Sequence, residues 1–113
     1  MAWIHLTSQG QLEEAINLSE TKPQLFFKHS TRCIISKMAL QAFESSKVID
    51  SGAADFYMLD LLNYRTISNE IADRLNIIHQ SPQAIMLSKN EVIYSETHDR
   101  IDGSRVQQIL DSI

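Results

Sequence analysis

The stretch Leu25-Phe26-Phe27-Lys28-His29-Ser30-Thr31-Arg32-Cys33-Ile34-Ile35-Ser36-Lys37-Met38-Ala39-Leu40-Gln41-Ala42-Phe43 decides the fold. Gln24 to His29 is an apolar-rich run and reads as a strand, with Phe26-Phe27 in the core. Ser30-Thr31-Arg32 reads as a loop. From Ile34 to about Val48 the chain reads as a helix, with Ile35, Ala39 and Phe43 at fourfold spacing on one face. This order sets Cys33, the only cysteine, at the helix's first turn. Ser30 and Thr31 are candidate N-caps. A helix N-terminus carries about half a positive charge and several unpaired N–H donors. Both favour the thiolate, which is the nucleophilic form. Lys28, His29 and Arg32 add positive charge and no acid beside it. Free cysteine is also among the most buried residue types, so a second reading makes Cys33 a small core side chain. The candidate caps and flanking cations favour the reactive reading.

Outward from this segment the same alternation continues. Ile4 and Leu6 flank His5 in a short strand pattern, and Thr7 or Ser8 can cap a helix that aligns Leu12, Ala15 and Ile16. Thr21-Lys22-Pro23 breaks the chain before Gln24. Beyond Ser51-Gly52, Phe56 to Leu62 is the near-continuous apolar run of a buried parallel strand. Thr66 or Ser68 starts a helix with Ile67, Ile71, Ala72 and Leu75 on one side. Ala84-Ile85-Met86-Leu87 and Val92-Ile93-Tyr94, separated by Ser88-Lys89-Asn90-Glu91, suit an antiparallel hairpin. A last helix starts near Asp102 or Ser104 and turns Val106, Ile109 and Leu110 inward. The order is βαβαβαββα. It implies an α/β fold with a central mixed sheet, parallel crossovers, an antiparallel closing edge and helices on both faces.

Composition narrows the function classes. A chain of 113 residues with 43% hydrophobic and 21% charged residues is expected to form a single globular domain over 1–113. A net charge of −4 gives no electrostatic reason to expect nucleic acid. No apolar run approaches the roughly 20 residues needed to span a membrane, and Met1 to Leu6 lacks the pattern of a signal peptide. One cysteine cannot form an internal disulfide, so a reducing cytoplasm is the expected compartment. His29, His79 and His98 are not spaced as a zinc site, so no metal is expected. Three glycines and scattered acids support no phosphate-binding loop, Ser-His-Asp set or carboxylate pair.

A strand, a loop and a helix with cysteine at its start, inside βαβαβαββα, resemble the layout of thioredoxin-like proteins. Their redox signature has two cysteines separated by two residues. Here the tetrad is Cys33-Ile34-Ile35-Ser36, with serine in the second position. A single thiol can accept a mixed disulfide but needs an external thiol to release it. Pro82 opens the strand that begins the hairpin. Proline is common at a strand start in the trans form. The thioredoxin-like resemblance implies instead a cis Ser81–Pro82 bond facing the cysteine loop, with Ser81 offering backbone groups to an extended substrate.

Phe27-Lys28-His29-Ser30-Thr31-Arg32-Cys33, Ser68-Asn69-Glu70-Ile71-Ala72, His79-Gln80-Ser81-Pro82-Gln83 and Ser95-Glu96-Thr97-His98 follow in order along nearly the whole chain. Together they resemble the bacillithiol-system redox-active proteins, the monothiol bacilliredoxins. The resemblance implies a thioredoxin-like fold with Cys33 as nucleophile. It implies that the chain removes bacillithiol, a low-molecular-weight thiol acting as cosubstrate, from oxidised client proteins. No bound cofactor is implied. Thr31, Arg32 and Ser36 would support the thiol, and Ser81 and Pro82 would hold the substrate. Ile34 departs from the pattern, since proline is common there. Lys28 and Arg32 are expected to be solvated, and His79 to be a partly buried, hydrogen-bonded side chain. Two other classes stay open: a binding module using the same groove without turnover, and an iron–sulfur carrier like some monothiol glutaredoxins. The Cys-Gly-Phe-Ser tetrad usual in those carriers is absent.

Overall fold

The computed structural model describes residues 3–113. Nine regular elements follow in the order β1 (Ile4–His5), α1 (Gln9–Leu18), β2 (Gln24–His29), α2 (Ile34–Ser45), β3 (Asp55–Asp60), α3 (Arg65–Leu75), β4 (Gln83–Ser88), β5 (Glu91–Thr97) and α4 (Gly103–Ser112). Short 3-10 turns occupy Val48–Ser51 and His98–Arg100. The five strands form one sheet in the order β1-β3-β2-β4-β5. β1 and β2 both run parallel to β3, while β4 is antiparallel to β2 and β5.

β2 lies in the middle of the sheet, so both of its faces must be covered. Alternation along the strand sends successive side chains to opposite faces. Leu25 and Phe27 join Ala39 and Phe43 of α2 and Val106 and Leu110 of α4 in one core layer. Phe26 joins Leu12 and Ile16 of α1 and Ile67 and Ile71 of α3 in the other. The sole tryptophan, Trp3, packs its ring 5.7 Å from Phe27 and 5.8 Å from Phe43, measured between centroids.

Local chemistry sets the element ends. Ser8 caps α1 by accepting from Gln11 N–H at 3.1 Å, and Asp102 caps α4 by accepting from Ser104 N–H at 2.9 Å. The β4–β5 turn places Lys89 and Asn90 at φ 53° and 63°, the positive pair a tight two-residue hairpin requires. Gly103 starts α4 against the end of α2, where a Cβ would lie 2.0 Å from Ser46 Oγ. Two helix limits differ from the expectation. α2 ends at Ser45, because the chain takes a left-handed step at Lys47 before the Val48–Ser51 turn. α3 begins at Arg65, after an N-cap at Tyr64.

Candidate functional site

The pole of the sheet at the C-terminal ends of β2 and β3 collects the residues singled out in the sequence. His29, the last residue of β2, pairs in register with Asp60, the last of β3. Lys28 pairs with Gln83, the first residue of β4. The Ser30–Cys33 loop leaving β2 and the Ser81–Pro82 turn entering β4 therefore meet the sheet at the same pole.

Cys33 is the N-cap of α2 itself, with φ −107° and ψ 121°. It sits just before the helix rather than within its first turn. Ser30 and Thr31 do not cap the helix; instead the Ser30 carbonyl accepts from Cys33 N–H at 3.2 Å and closes a turn. The Cys33 carbonyl accepts from Lys37 N–H at 3.0 Å and begins the helical ladder. No side chain caps α2, so N–H groups of its first turn remain open beside the thiol. Cys33 is a free cysteine of intermediate exposure. Thr31 and Arg32 are exposed and line a shallow cleft of about 310 Å³ with Leu62 and Asn63.

Ser36 faces inward and is fully buried. This corrects the expected core face of α2: Ser36, Ala39 and Phe43 point in, while Ile35 is 51% exposed. The Ser36 hydroxyl accepts from Ser30 N–H at 3.0 Å and lies 2.7 Å from His29 Nδ1. His29 is buried, and burial lowers its pKa; Asp60 and Glu44 partly oppose this, and Lys37 adds to it. Asp60 accepts from Asn63 Nδ2 at 2.8 Å through Oδ2, while its Oδ1 is buried without a hydrogen bond.

Lys28 corrects a second expectation. It is fully buried on the α3 side of the sheet rather than solvated. Its Nζ donates to Ser68 O at 3.1 Å and lies 3.1 Å from His79 Nδ1. Desolvation brings the amine down from 10.5 to about 8. His79 is partly buried, and burial, then Lys28 and Arg65, lower its pKa. The signal for Lys28 was present in the sequence: a residue in the middle strand of a doubly covered sheet has no solvent face. The His29–Ser36 pairing was harder to find, because it joins a strand end to a helix across the cysteine loop.

The Ser81–Pro82 peptide bond is cis. Pro82 is buried, and its carbonyl accepts from His98 N–H at 3.1 Å. Gln83, also buried, donates from Nε2 to Ile78 O at 3.1 Å and so braces the preceding loop. His98 holds a left-handed conformation at φ 53°. Beside it an open groove of about 540 Å³ runs between α2 and the His98–Arg100 turn, lined by Ile35, Met38, Ala42, Asp99 and Ile101 among others. Ile34, Ile35 and Met38 form an exposed apolar ridge along α2. Among the described residues no three His, Cys, Asp or Glu side chains converge as a metal site requires. No helix among them is long and apolar enough to cross a membrane.

A solved structure described as a candidate oxidoreductase with a thioredoxin fold is 33% identical to this chain. It covers 93% of this chain and 90% of its own, with a TM-score of 0.79. The thioredoxin of Malassezia sympodialis is 18% identical, with 98% and 90% covered and a TM-score of 0.72. The reduced thioredoxin of Schistosoma mansoni is 20% identical, with 99% and 98% covered and a TM-score of 0.70. These two thioredoxins show the fold. A family model described as monothiol bacilliredoxin BrxC matches residues 4–106. Fold and family together support a thiol oxidoreductase-like role. The match spans the cysteine loop, the buried serine and the proline turn, and the chain belongs to the monothiol bacilliredoxin family.

Proposed function

We propose that the chain is a monothiol thiol–disulfide oxidoreductase that strips a low-molecular-weight thiol, such as bacillithiol, from client proteins in the cytoplasm. The observation that carries this reading is the placement of a lone, partly exposed thiol at an uncapped helix N-terminus. Reactive cysteines as a class sit at helix N-termini, where open N–H groups face the side chain.

The Cys33 thiolate attacks the small-thiol sulfur of the client's mixed disulfide. The client's sulfur leaves as a thiolate and takes up a proton from water. The small thiol remains on Cys33 through a new disulfide. A second small-thiol thiolate attacks that disulfide, forming the symmetric small-thiol disulfide and restoring the Cys33 thiolate. Electrons balance, because one free small thiol enters a disulfide as one client sulfur is released from a disulfide as thiol. No bound cofactor takes part. Ser81 would align the client as an extended segment through its backbone groups, and Thr31 and Arg32 stand exposed at the rim to meet the small thiol.

The test uses purified protein and a client carrying a bacillithiol mixed disulfide. The expected result is reduced client together with protein that gains one bacillithiol on Cys33 by intact mass. Further turnover should require free bacillithiol and its reductase. Modified client that is bound but left unreduced, equally well by Cys33→Ser, would identify a non-catalytic binding module.

A further inference from the structure

We propose that Ser36 and His29 act as a pair of positioning residues that fix the Ser30–Cys33 turn and thereby set how the thiol is presented. The pair lies beneath the loop; Ser36 is fully buried and His29 keeps only 8% of its surface exposed.

The links are consecutive. A serine hydroxyl has one proton and two acceptor directions. Ser30 N–H donates to Ser36 Oγ at 3.0 Å and takes up one acceptor direction. The hydroxyl proton is then free to donate to His29 Nδ1 at 2.7 Å. Burial disfavours the charged imidazolium, so the ring keeps an acceptor nitrogen. With its N–H held, Ser30 presents its carbonyl to Cys33 N–H at 3.2 Å. That contact closes the turn and leaves Cys33 extended at the head of α2. Such chains reinforce each other in a low-dielectric interior.

The arrangement gives serine its own task at a position that would otherwise hold a resolving cysteine. Contacts of 2.7 and 3.0 Å suit oxygen. Sulfur is larger and a weak donor and acceptor, and it would push the turn outward. The pair also couples the turn to protonation. On the imidazolium, Nδ1 becomes a donor; Ser36 Oγ then faces two donors, and its own proton loses its acceptor. The charged groups acting on His29 are Asp60 from β3 and Glu44 and Lys37 from α2. None of them is hydrogen-bonded to the ring.

The inference rests on Cys33 as the reacting thiol, and the experiment separates the two claims. The probe is a pyridyl disulfide, in which the Cys33 thiolate displaces pyridinethione and forms the mixed disulfide. Its rate is followed from about pH 4 to 9 for the wild type, Ser36→Ala, His29→Leu and His29→Asn. The asparagine keeps an acceptor at the δ position but does not titrate. A wild-type thiol inert to the reagent would sink the proposed function itself. With a reactive wild type, the expected profile carries a step below about pH 6.5. Ser36→Ala and His29→Leu should lose the step and change the rate about fivefold, as expected for one lost hydrogen bond. His29→Asn should lose the step and retain the rate. If Ser36→Ala and His29→Leu fail to fold by Trp3 fluorescence, His29→Asn decides alone. A step that survives in His29→Asn, or variants that trace the wild-type profile with only a lower melting temperature, would reduce the pair to a structural staple.

Discussion

Lys28 Nζ lies 3.1 Å from His79 Nδ1, and the two basic groups share the interior of the sheet's α3 side with Ser68. Among the described residues no carboxylate is hydrogen-bonded to either. A buried ammonium without a counter-charge is costly, which is why the amine falls to about 8. The ammonium is nonetheless useful locally, because it donates both to a carbonyl of α3 and to the loop that carries the cis proline. It ties the substrate-side turn to the helix behind it.

This lysine gives the stability of the fold an alkaline signature. Below about pH 8 both folded and unfolded chains hold the proton, and the folded state bears the desolvation cost. Between about 8 and 10.5 only the unfolded chain holds it, so that cost fades as the pH rises. Unfolding free energy should therefore increase from about pH 8 to pH 10 by on the order of 2 kcal/mol. Tyr57, whose hydroxyl burial raises to about 12, opposes this only above about pH 10, where unfolded tyrosines ionise. Urea unfolding followed by Trp3 fluorescence checks the rise, and Lys28→Met should flatten it. A stability that falls across this window in the wild type would mean that the amine is not desolvated.

The same lysine shows what a sequence can and cannot reveal here. Strand and helix order was legible because β2 and β3 are apolar runs and each helix repeats its apolar side chains at helical spacing. The cysteine loop and the proline turn were legible as punctuation. Which polar side chains turn inward was not. Lys28 and Ser36 look like surface residues when judged by type, yet both are fully buried. Strand alternation commits Lys28 to the α3 layer and His29 to the α2 layer, and each then requires a polar partner. Ser68 and His79 serve the first, and Ser36 serves the second. Those partners are 7 to 51 residues away in the chain, beyond the reach of local pattern. The displaced cap has a similar cause. Ser30 and Thr31 have the right chemistry, but the Ser30 carbonyl closes a turn with Cys33 N–H, and the helical ladder begins only at the Cys33 carbonyl.

Cys33→Ser should abolish transfer while leaving the fold intact or firmer. The thiol makes no cap hydrogen bond and is only partly buried. Serine is among the preferred N-cap residues and can accept from the open N–H groups of α2. A gain of up to about 1 kcal/mol is expected in urea unfolding. A loss of more than about 2 kcal/mol would show that the sulfur packs as a core side chain.

Gly103→Ala should be destabilising despite alanine's higher helix propensity. The added Cβ would lie 2.0 Å from Ser46 Oγ and 3.1 Å from the Phe43 carbonyl oxygen. Ser46 cannot simply swing away, because its hydroxyl donates to that same carbonyl at 2.6 Å. The α2–α4 contact must open instead, at a cost of about 1–3 kcal/mol. Thermal unfolding measures it, and pairing with Ser46→Gly should recover most of the loss. An alanine variant as stable as the wild type would mean that the two helix ends are farther apart than described.

Ile34→Pro should raise stability. Ile34 is the first residue of α2, where a backbone N–H has no partner within the helix and proline's fixed φ suits the first turn. Proline also restricts the residue before it to extended conformations near φ −120° and ψ about 120–160°. Cys33 already sits at φ −107° and ψ 121°, so the ring imposes nothing that the loop does not adopt. The Ile34 side chain is 68% exposed, and its loss removes little packing. The gain comes from a stiffer unfolded chain, about 0.4–1 kcal/mol, or a rise in melting temperature of roughly 2–8 °C. Pyridyl disulfide reactivity of Cys33 should be retained, because an N-cap side chain faces the N–H groups of the second and third helical residues, Ile35 and Ser36, which the substitution leaves in place, and the Ser30–Ser36–His29 contacts do not involve residue 34. A lowered melting temperature would show that the Ile34 N–H or side chain holds the cysteine loop in a way the backbone angles do not reveal.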